Sequence, residues 1–333
     1  MNARLTFLAT TLLAASPALA DVNVYTTRQA FLIEPVTDAF TAKTGINVNL
    51  AFVDKGIVER LRAEGSRSPA DLVMTVDIAN LKQIADADVL QPVDSAVLDA
   101  AVPDHLQSPD NLWFALTTRA RVVYASKERV KDGEVTTYEA LTDEKWRGRI
   151  CSRSGVHNYN LALLSAVIAH DGEEAARDWA AGIKENLARR PQGNDRAQVK
   201  AIWAGECDIS LANTYYMAAM LKDPEQQAWA NSVRIIYPEF EDGGTHVNIS
   251  GIAMTKAAPN RAEALQLMEF VVSPEAQEIY ADVNNEFPVL EGASPSDLVQ
   301  SWGTFTPDTT DLGTIADLRG TALKIMEEVN FDG

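Results

Sequence analysis

The chain has 333 residues, with 29 Lys plus Arg against 47 Asp plus Glu, a formal net charge of -18, and 46% hydrophobic residues. That composition excludes a largely disordered or fibrous chain, and the acidity argues against nucleic acid or an anionic membrane surface as a partner. The length exceeds what one core usually serves, so two domains are expected.

Residues 1–20, MNARLTFLATTLLAASPALA, carry one early charge (Arg4), an apolar stretch from Leu5 to Ala15, and Ala18-Leu19-Ala20 as a cleavage signal. This is the pattern of a secretory signal peptide cut after Ala20, and its apolar run is too short to span a bilayer. The mature chain is one unit more negative, because only Arg4 is lost. No later stretch is long and apolar enough to cross a membrane.

Val22 to Tyr25 reads as a strand, residues 33–43 as a helix stopped at Thr44-Gly45, and Ile46 to Phe52 as an alternating strand. Helix 56–63, strand 70–74 with Asp77 in the following loop, and helix 80–85 come next. Trp113 to Ala125 is an apolar, β-branched strand interrupted by Arg119 and Arg121. Strand 150–153 leads into helix 160–170, which resumes after Asp171-Gly172 over 173–185. Helix 196–203, strands 207–211, 235–237 and 248–254, and helices 261–272, 274–281 and 318–329 complete the chain. This alternation predicts an α/β protein whose sheets are covered by helices. No linker separates the halves, so they are expected to share more than one connecting strand, which suits a hinge.

Cys151 and Cys207 are the two cysteines. In an exported protein they suggest one disulfide, with two buried thiols as the alternative. The four histidines, His105, His157, His170 and His246, have no metal-ligand spacing, so surface or capping roles are expected. Phosphate-binding, dinucleotide, nucleophile-elbow and zinc-protease motifs are absent, so an enzyme has little support.

Tyrosine is the informative residue. Tyr215-Tyr216 follow GECDISLANT, where a strand gives way to a helix, and Tyr159 follows the strand ICSR in the same way. Ligands of open α/β sheets bind beyond the carboxyl ends of strands. Three phenols aimed at one cleft suit a strongly Lewis-acidic cation such as ferric iron. Packing of these rings in the core is the alternative.

The stretches VNVYTTRQAFLIEPVTDAFTAKTGINVNL, EGSRSPADLVMTVDIANL, TTRARVVYASKERV, WRGRICSRS and NDRAQVKAIWAGECDISLANTYYMAAML resemble the ferric-ion-binding periplasmic proteins of bacterial iron ABC importers, within the class II periplasmic binding proteins. They span most of residues 22–221. The resemblance implies two lobes, each a central mostly parallel sheet flanked by helices, joined by hinge strands. The first lobe is expected over 21–118 plus 249–333, and the second over 119–248. It implies Tyr159, Tyr215 and Tyr216 as ligands of Fe(3+). Many family members carry a His-Tyr pair after the first-strand arginine, whereas here Arg28 is followed by Gln29-Ala30. Carbonate or bicarbonate held by Arg28 and Gln29, with Arg119 a further candidate, is the expected completing anion. The resemblance also implies a monomer in the periplasm that serves an inner-membrane permease and its ATPase. A binding protein for a polyamine, a phosphonate or another oxyanion is the competing reading.

Overall fold

The computed structural model describes residues 20–53 and 55–333. All of the expected signal peptide except Ala20 lies outside the described residues. In chain order, the first group is β1 (Val22–Thr26), α1 (Ala30–Thr44), β2 (Val48–Phe52), α2 (Ile57–Glu64), β3 (Leu72–Val76), α3 (Ile78–Asp86), β4 (Leu90–Gln91) and α4 (Ala96–Ala101). The long strand β5 (Phe114–Ser126) leads to β6 (Ile150–Cys151), α5 (Asn158–Glu185), α6 (Asp195–Trp203), β7 (Ile209–Asn213), α7 (Tyr215–Lys222), α8 (Gln227–Ser232) and β8 (Val233–Ile236). Strand β9 (Val247–Thr255) returns, followed by α9 (Arg261–Val271), α10 (Pro274–Ile279), β10 (Phe287–Pro288), α11 (Asp297–Gln300), α12 (Leu312–Asp317) and α13 (Arg319–Glu328).

Strand order β2-β1-β3-β9-β5-β7-β6 divides at β5. All 13 residues of β5 are buried, which accounts for its near-continuous apolar sequence. Its first part, Phe114 to Ala120, pairs with β9, and its second, Arg121 to Ser126, pairs with β7 and β8. One strand thus serves two sheets, as a hinge requires. The pairs β1–β2, β1–β3 and β6–β7 are parallel, but β5 and β9 run antiparallel to every partner. The sheets are therefore mixed rather than mostly parallel, because both connecting strands enter them from the opposite direction.

Asp171-Gly172 does break the long helix: Gly172 takes φ 87 inside α5, a conformation that costs glycine little. Helix α1 begins at Ala30, three residues before its expected start, and so brings Gln29 to its N-terminus. The short elements α4, α8, α11 and α12 escaped the sequence reading because six residues or fewer carry too little periodicity.

Helix α13 lies along α5. Lys184 Nζ donates to the Val329 carbonyl at 2.8 Å, Arg177 pairs with Glu328 at 3.0 Å, and Gly155 packs against Phe331 and Met326. The last residues thus pack on the helices of the second sheet, although residues 249–333 were expected to belong wholly with the first.

Candidate functional site

Parallel strands β6 and β7 end side by side, and the turns that follow carry the tyrosines. His157 caps α5: its Nδ1 accepts from the Tyr159 amide at 3.2 Å. The capping role expected for this histidine holds. Burial, then the neighbouring Arg153, hold its pKa down to about 4, so the cap is neutral. The β7–α7 turn presents Tyr215 and Tyr216 with ring centroids 4.4 Å apart. The Tyr215 and Tyr159 hydroxyls are 3.1 Å apart, and Asn213 Nδ2 donates to the Tyr215 hydroxyl at 3.3 Å. The three expected phenols therefore do converge.

A buried ionic platform fixes that geometry. Asp195 accepts from Arg121 at 2.6 Å, from Arg153 at 2.9 Å, and from the Asn213 amide at 3.1 Å. Arg121 also donates to Asn160 at 2.6 Å. One carboxylate thereby ties α6 to β5, to the loop after β6 and to the end of β7. The guanidiniums of Arg153 and Arg121 lie 5.1 and 5.8 Å from the Tyr159 ring centroid, placing cationic charge beneath the phenols. Cys151 and Cys207 are bonded, with Cα atoms 5.8 Å apart. They belong to a hydrophobic cluster with Val199, Ile202, Ala212, Met217 and Met220, which reaches from α6 through β7 to α7.

The phenols face a cleft of about 660 Å³ that also includes Arg28, Gln29, Asp77 and Glu286 from the β1–α1 turn, the β3–α3 turn and the segment before β10. Arg28 is 2% exposed and donates to Glu286 at 2.8 Å, while its Nε and Nη1 have no partner among the described residues. Glu286 also accepts from Thr117 at 2.8 Å. Asp77 caps α3 by accepting from the Ala79 amide, and it holds φ 85, a strained value for a residue with a Cβ. Gln29 lines the cleft, as expected.

Arg119 lies behind the tyrosines, around a small void shared with Arg121, Tyr159, Asn213, His246 and Asn248. It is 1% exposed, its nearest carboxylate is Asp77 at 3.9 Å, and none of its three guanidinium nitrogens has a hydrogen-bond partner among the described residues. His246 is fully buried beside it, which corrects the expected surface or capping role.

Burial raises the Tyr215 pKa well above 10, and the neighbouring phenols Tyr159 and Tyr216 raise it further. Tyr216 is pushed to about 12, first by burial and then by Tyr159. A ligand that binds these oxygens as phenolates must therefore displace protons, which requires a strongly polarising cation. Among the described residues no group of three or more His, Cys, Asp and Glu side chains is placed to hold a metal ion, so phenols are the donor set on offer.

Asp77, His157, Asp195 and Glu286 were not singled out from sequence as site residues. Asp77 and His157 had a usable signal, since each immediately follows a strand or precedes a ligand-bearing helix. Glu286 had none, because it meets Arg28 across 258 residues.

Residues 36–307 match the family described as bacterial extracellular solute-binding protein. Iron uptake protein A1 of Synechocystis is 44% identical over 315 residues, 93% of this chain and 87% of that protein. Ferric iron-binding protein A of Mannheimia haemolytica, in an open conformation, superposes with a TM-score of 0.91 at 46% identity, covering 95% of this chain and 100% of that one. The Trichodesmium protein solved with iron and citrate ligands gives 0.89 at 41% identity over 94% of this chain and 99% of that one. A two-sheet α/β frame, a cleft at the carboxyl ends of its strands and these matches agree: the chain belongs to the bacterial extracellular solute-binding protein family.

Proposed function

We propose that this protein captures ferric iron outside the inner membrane and delivers it to an ABC permease. Convergence of the Tyr159, Tyr215 and Tyr216 phenols in one cleft carries this reading. Three phenolates neutralise Fe(3+) and fill half of an octahedron. Among the described residues lining the cleft, both acids already face cations: Glu286 is paired with Arg28, and Asp77 lies nearest to Arg119. That pairing also disfavours a polyamine, which needs unneutralised carboxylates.

A completing oxygen donor then comes from solution. Carbonate or bicarbonate beside Arg28 and Gln29 is one such donor, with the unpartnered nitrogens of Arg28 and Arg119 supplying positive charge. The relatives are binding proteins, and this chain acts as one. The mature protein, cut after Ala20, works in the periplasm as a monomer whose two lobes close about the β5 and β9 strands, the C-terminal helix α13 moving with the second. Among the described residues no helix is long and apolar enough to cross a membrane. The permease and its ATPase are the partners this role requires.

Metal analysis and a visible spectrum of protein purified from its native compartment test the reading. Iron near one equivalent with a phenolate charge-transfer band is expected. A colourless protein that takes up no ferric iron overturns it. Scattering should show a smaller radius of gyration on loading.

A further inference from the structure

The turn that carries Tyr159 is held from two sides. It leaves β6 after Cys151 and enters α5 at Asn158. From within, Asn160 Nδ2 donates to the Arg153 and Ser154 carbonyls at 3.3 and 3.1 Å, and Arg153 is fixed by Asp195 at 2.9 Å. The outer hold comes from α13 and the residues after it. One Asp332 carboxylate oxygen accepts from the Gly155 amide at 2.7 Å, and the other accepts from the Ser154 hydroxyl. Arg319, at the start of α13, donates to Asn158 Oδ1 at 3.0 Å. Five consecutive residues, 154–158, thus lie between two grips made from the outside.

The outer hold is close and itself braced. A Cβ on Gly155 would stand 2.6 Å from Phe331 and 3.0 Å from Met326, so a glycine is needed for the approach. Phe331 is buried against the turn, around a small void shared with Cys151 and Asn160. Arg190 donates to the Asp332 carbonyl at 2.6 Å, which fixes the backbone of the residue that grips Gly155. Two residues before Arg319, Asp317 accepts from Lys82 of α3 at 2.9 Å.

The Tyr159 phenol depends on such bracing. Among the described residues its hydroxyl has one hydrogen-bond partner, Tyr215, so the oxygen is placed by the backbone of the turn. A ligand set works when its donors are held within about 0.5 Å of the productive geometry. We propose that Asp332 and Arg319 are positioning residues of the ferric site. They act through residues 154–158 to hold the Tyr159 phenol where it can share one metal ion with Tyr215 and Tyr216, although neither lines the cleft. This rests on the ferric reading of the tyrosines and adds to it the residues that set one of the three donors.

Loading with ferric chloride in bicarbonate buffer tests it. Competition against a chelator reads retention, and the visible band at saturation reads phenolate geometry. Asp332→Ala should displace and weaken the band and lower retention by about tenfold, the low end for a residue acting behind a ligand. Asp332→Asn, which keeps one acceptor oxygen, should recover part of both. Arg319→Met should move the band in the same way with a smaller loss. Arg177→Gln removes the ion pair between α5 and α13 but leaves the turn contacts, so band and retention should stay as in the wild type. Melting curves confirm that each variant folds. A wild-type band and retention in folded Asp332→Ala and Arg319→Met overturn the proposal, and so does an equal displacement in Arg177→Gln, since loosened packing alone would then suffice. Wild-type protein that takes up no ferric iron overturns the reading of the tyrosines and this proposal with it.

Discussion

The two walls of the cleft are built on opposite plans. On the second-lobe wall the phenols stand free above an ionic platform: Asp195 takes up Arg121 and Arg153 below them, leaving the hydroxyls to one another. On the first-lobe wall the carboxylates of the cleft already face cations, Glu286 bonded to Arg28 and Asp77 nearest to Arg119. A wall that presents clustered phenol oxygens can bind a cation; a wall whose carboxylates already face cations covers it. Losses on the second-lobe wall should therefore be severe, and losses on the first partial.

Removing a phenol is the strongest test of that contrast. Tyr215→Phe or Tyr216→Phe should abolish or strongly bleach the visible band and weaken iron retention by more than about 100-fold, beyond the usual loss for a supporting residue. Proton competition adds to this. The Tyr215 and Tyr216 hydroxyls are held above their ordinary value, so iron must displace protons to bind, and falling pH favours release. With three phenols, retention should fall by up to about a thousandfold per pH unit in acid. A competition titration against a chelator of known pH dependence reads this slope. A slope near zero would mean that the phenols are not the ligands.

The second-lobe donors are also covalently braced. The disulfide closes 56 residues, and the chain-entropy relation assigns such a loop about 4 kcal/mol. Cys151→Ala with Cys207→Ala should lower unfolding stability by that order, measured as a drop in denaturant midpoint at constant slope. Thiol titration of the unfolded, unreduced protein should find none. Because the bond ties the end of β6 to the segment entering β7, the double variant should also loosen iron retention; unaltered retention would confine its role to stability.

Long-period features were legible in the sequence. The strand β5, the broken helix α5 and the strand-to-helix turns that carry the tyrosines all follow from local patterning. The disulfide followed from compartment and count. What escaped notice depends on distance along the chain. Glu286 meets Arg28 across 258 residues, and no local pattern near either foretells it. Arg28 and Arg119 looked alike as cations beside an apolar strand, yet one is ion-paired at 2.8 Å and the other has no hydrogen-bond partner among the described residues. His246 read as a surface residue because burial of the turn that leads into β9 is a tertiary fact.

First-lobe substitutions should have smaller effects. Arg28→Ala leaves Glu286 buried without its cation, so it should cost stability as well as function. Glu286→Gln beside it separates the two effects, because it frees Arg28 while keeping the shape. Arg28→Ala should weaken iron retention by about 10–100-fold while keeping phenolate colour at saturation. Glu286→Gln should leave retention equal or stronger in bicarbonate. If Arg28→Ala changes only the melting temperature, the completing anion is held elsewhere.

The smallest expected effect lies where the chain crosses between walls after α11. Thr245 donates to the Thr306 carbonyl at 2.8 Å and accepts from the Asp308 amide at 2.9 Å, tying this segment to the start of β9. His170, stacked on Phe240 at 4.1 Å, bridges the junction: Nδ1 is 2.6 Å from Asp242, and Nε2 is 3.1 Å from both Asp308 and Thr310. Burial lowers its pKa, but the contacts with Asp308 and Asp242 outweigh that and raise it above 6.5. The nearby Asp171 favours the cation, while the buried His246 opposes it only when protonated. A raised imidazole pKa stabilises the fold fully below about 6.5 and loses its contribution as pH climbs through the folded value. His170→Gln should therefore lower stability by about 1 kcal/mol at most near pH 5.5, discounted for solvent at the exposed Asp242, and by less near pH 8.5. Melting curves of both proteins at the two pH values decide the matter. An equal deficit at both would assign His170 to packing on Phe240, and the junction would then hold the two walls by shape and backbone bonds alone.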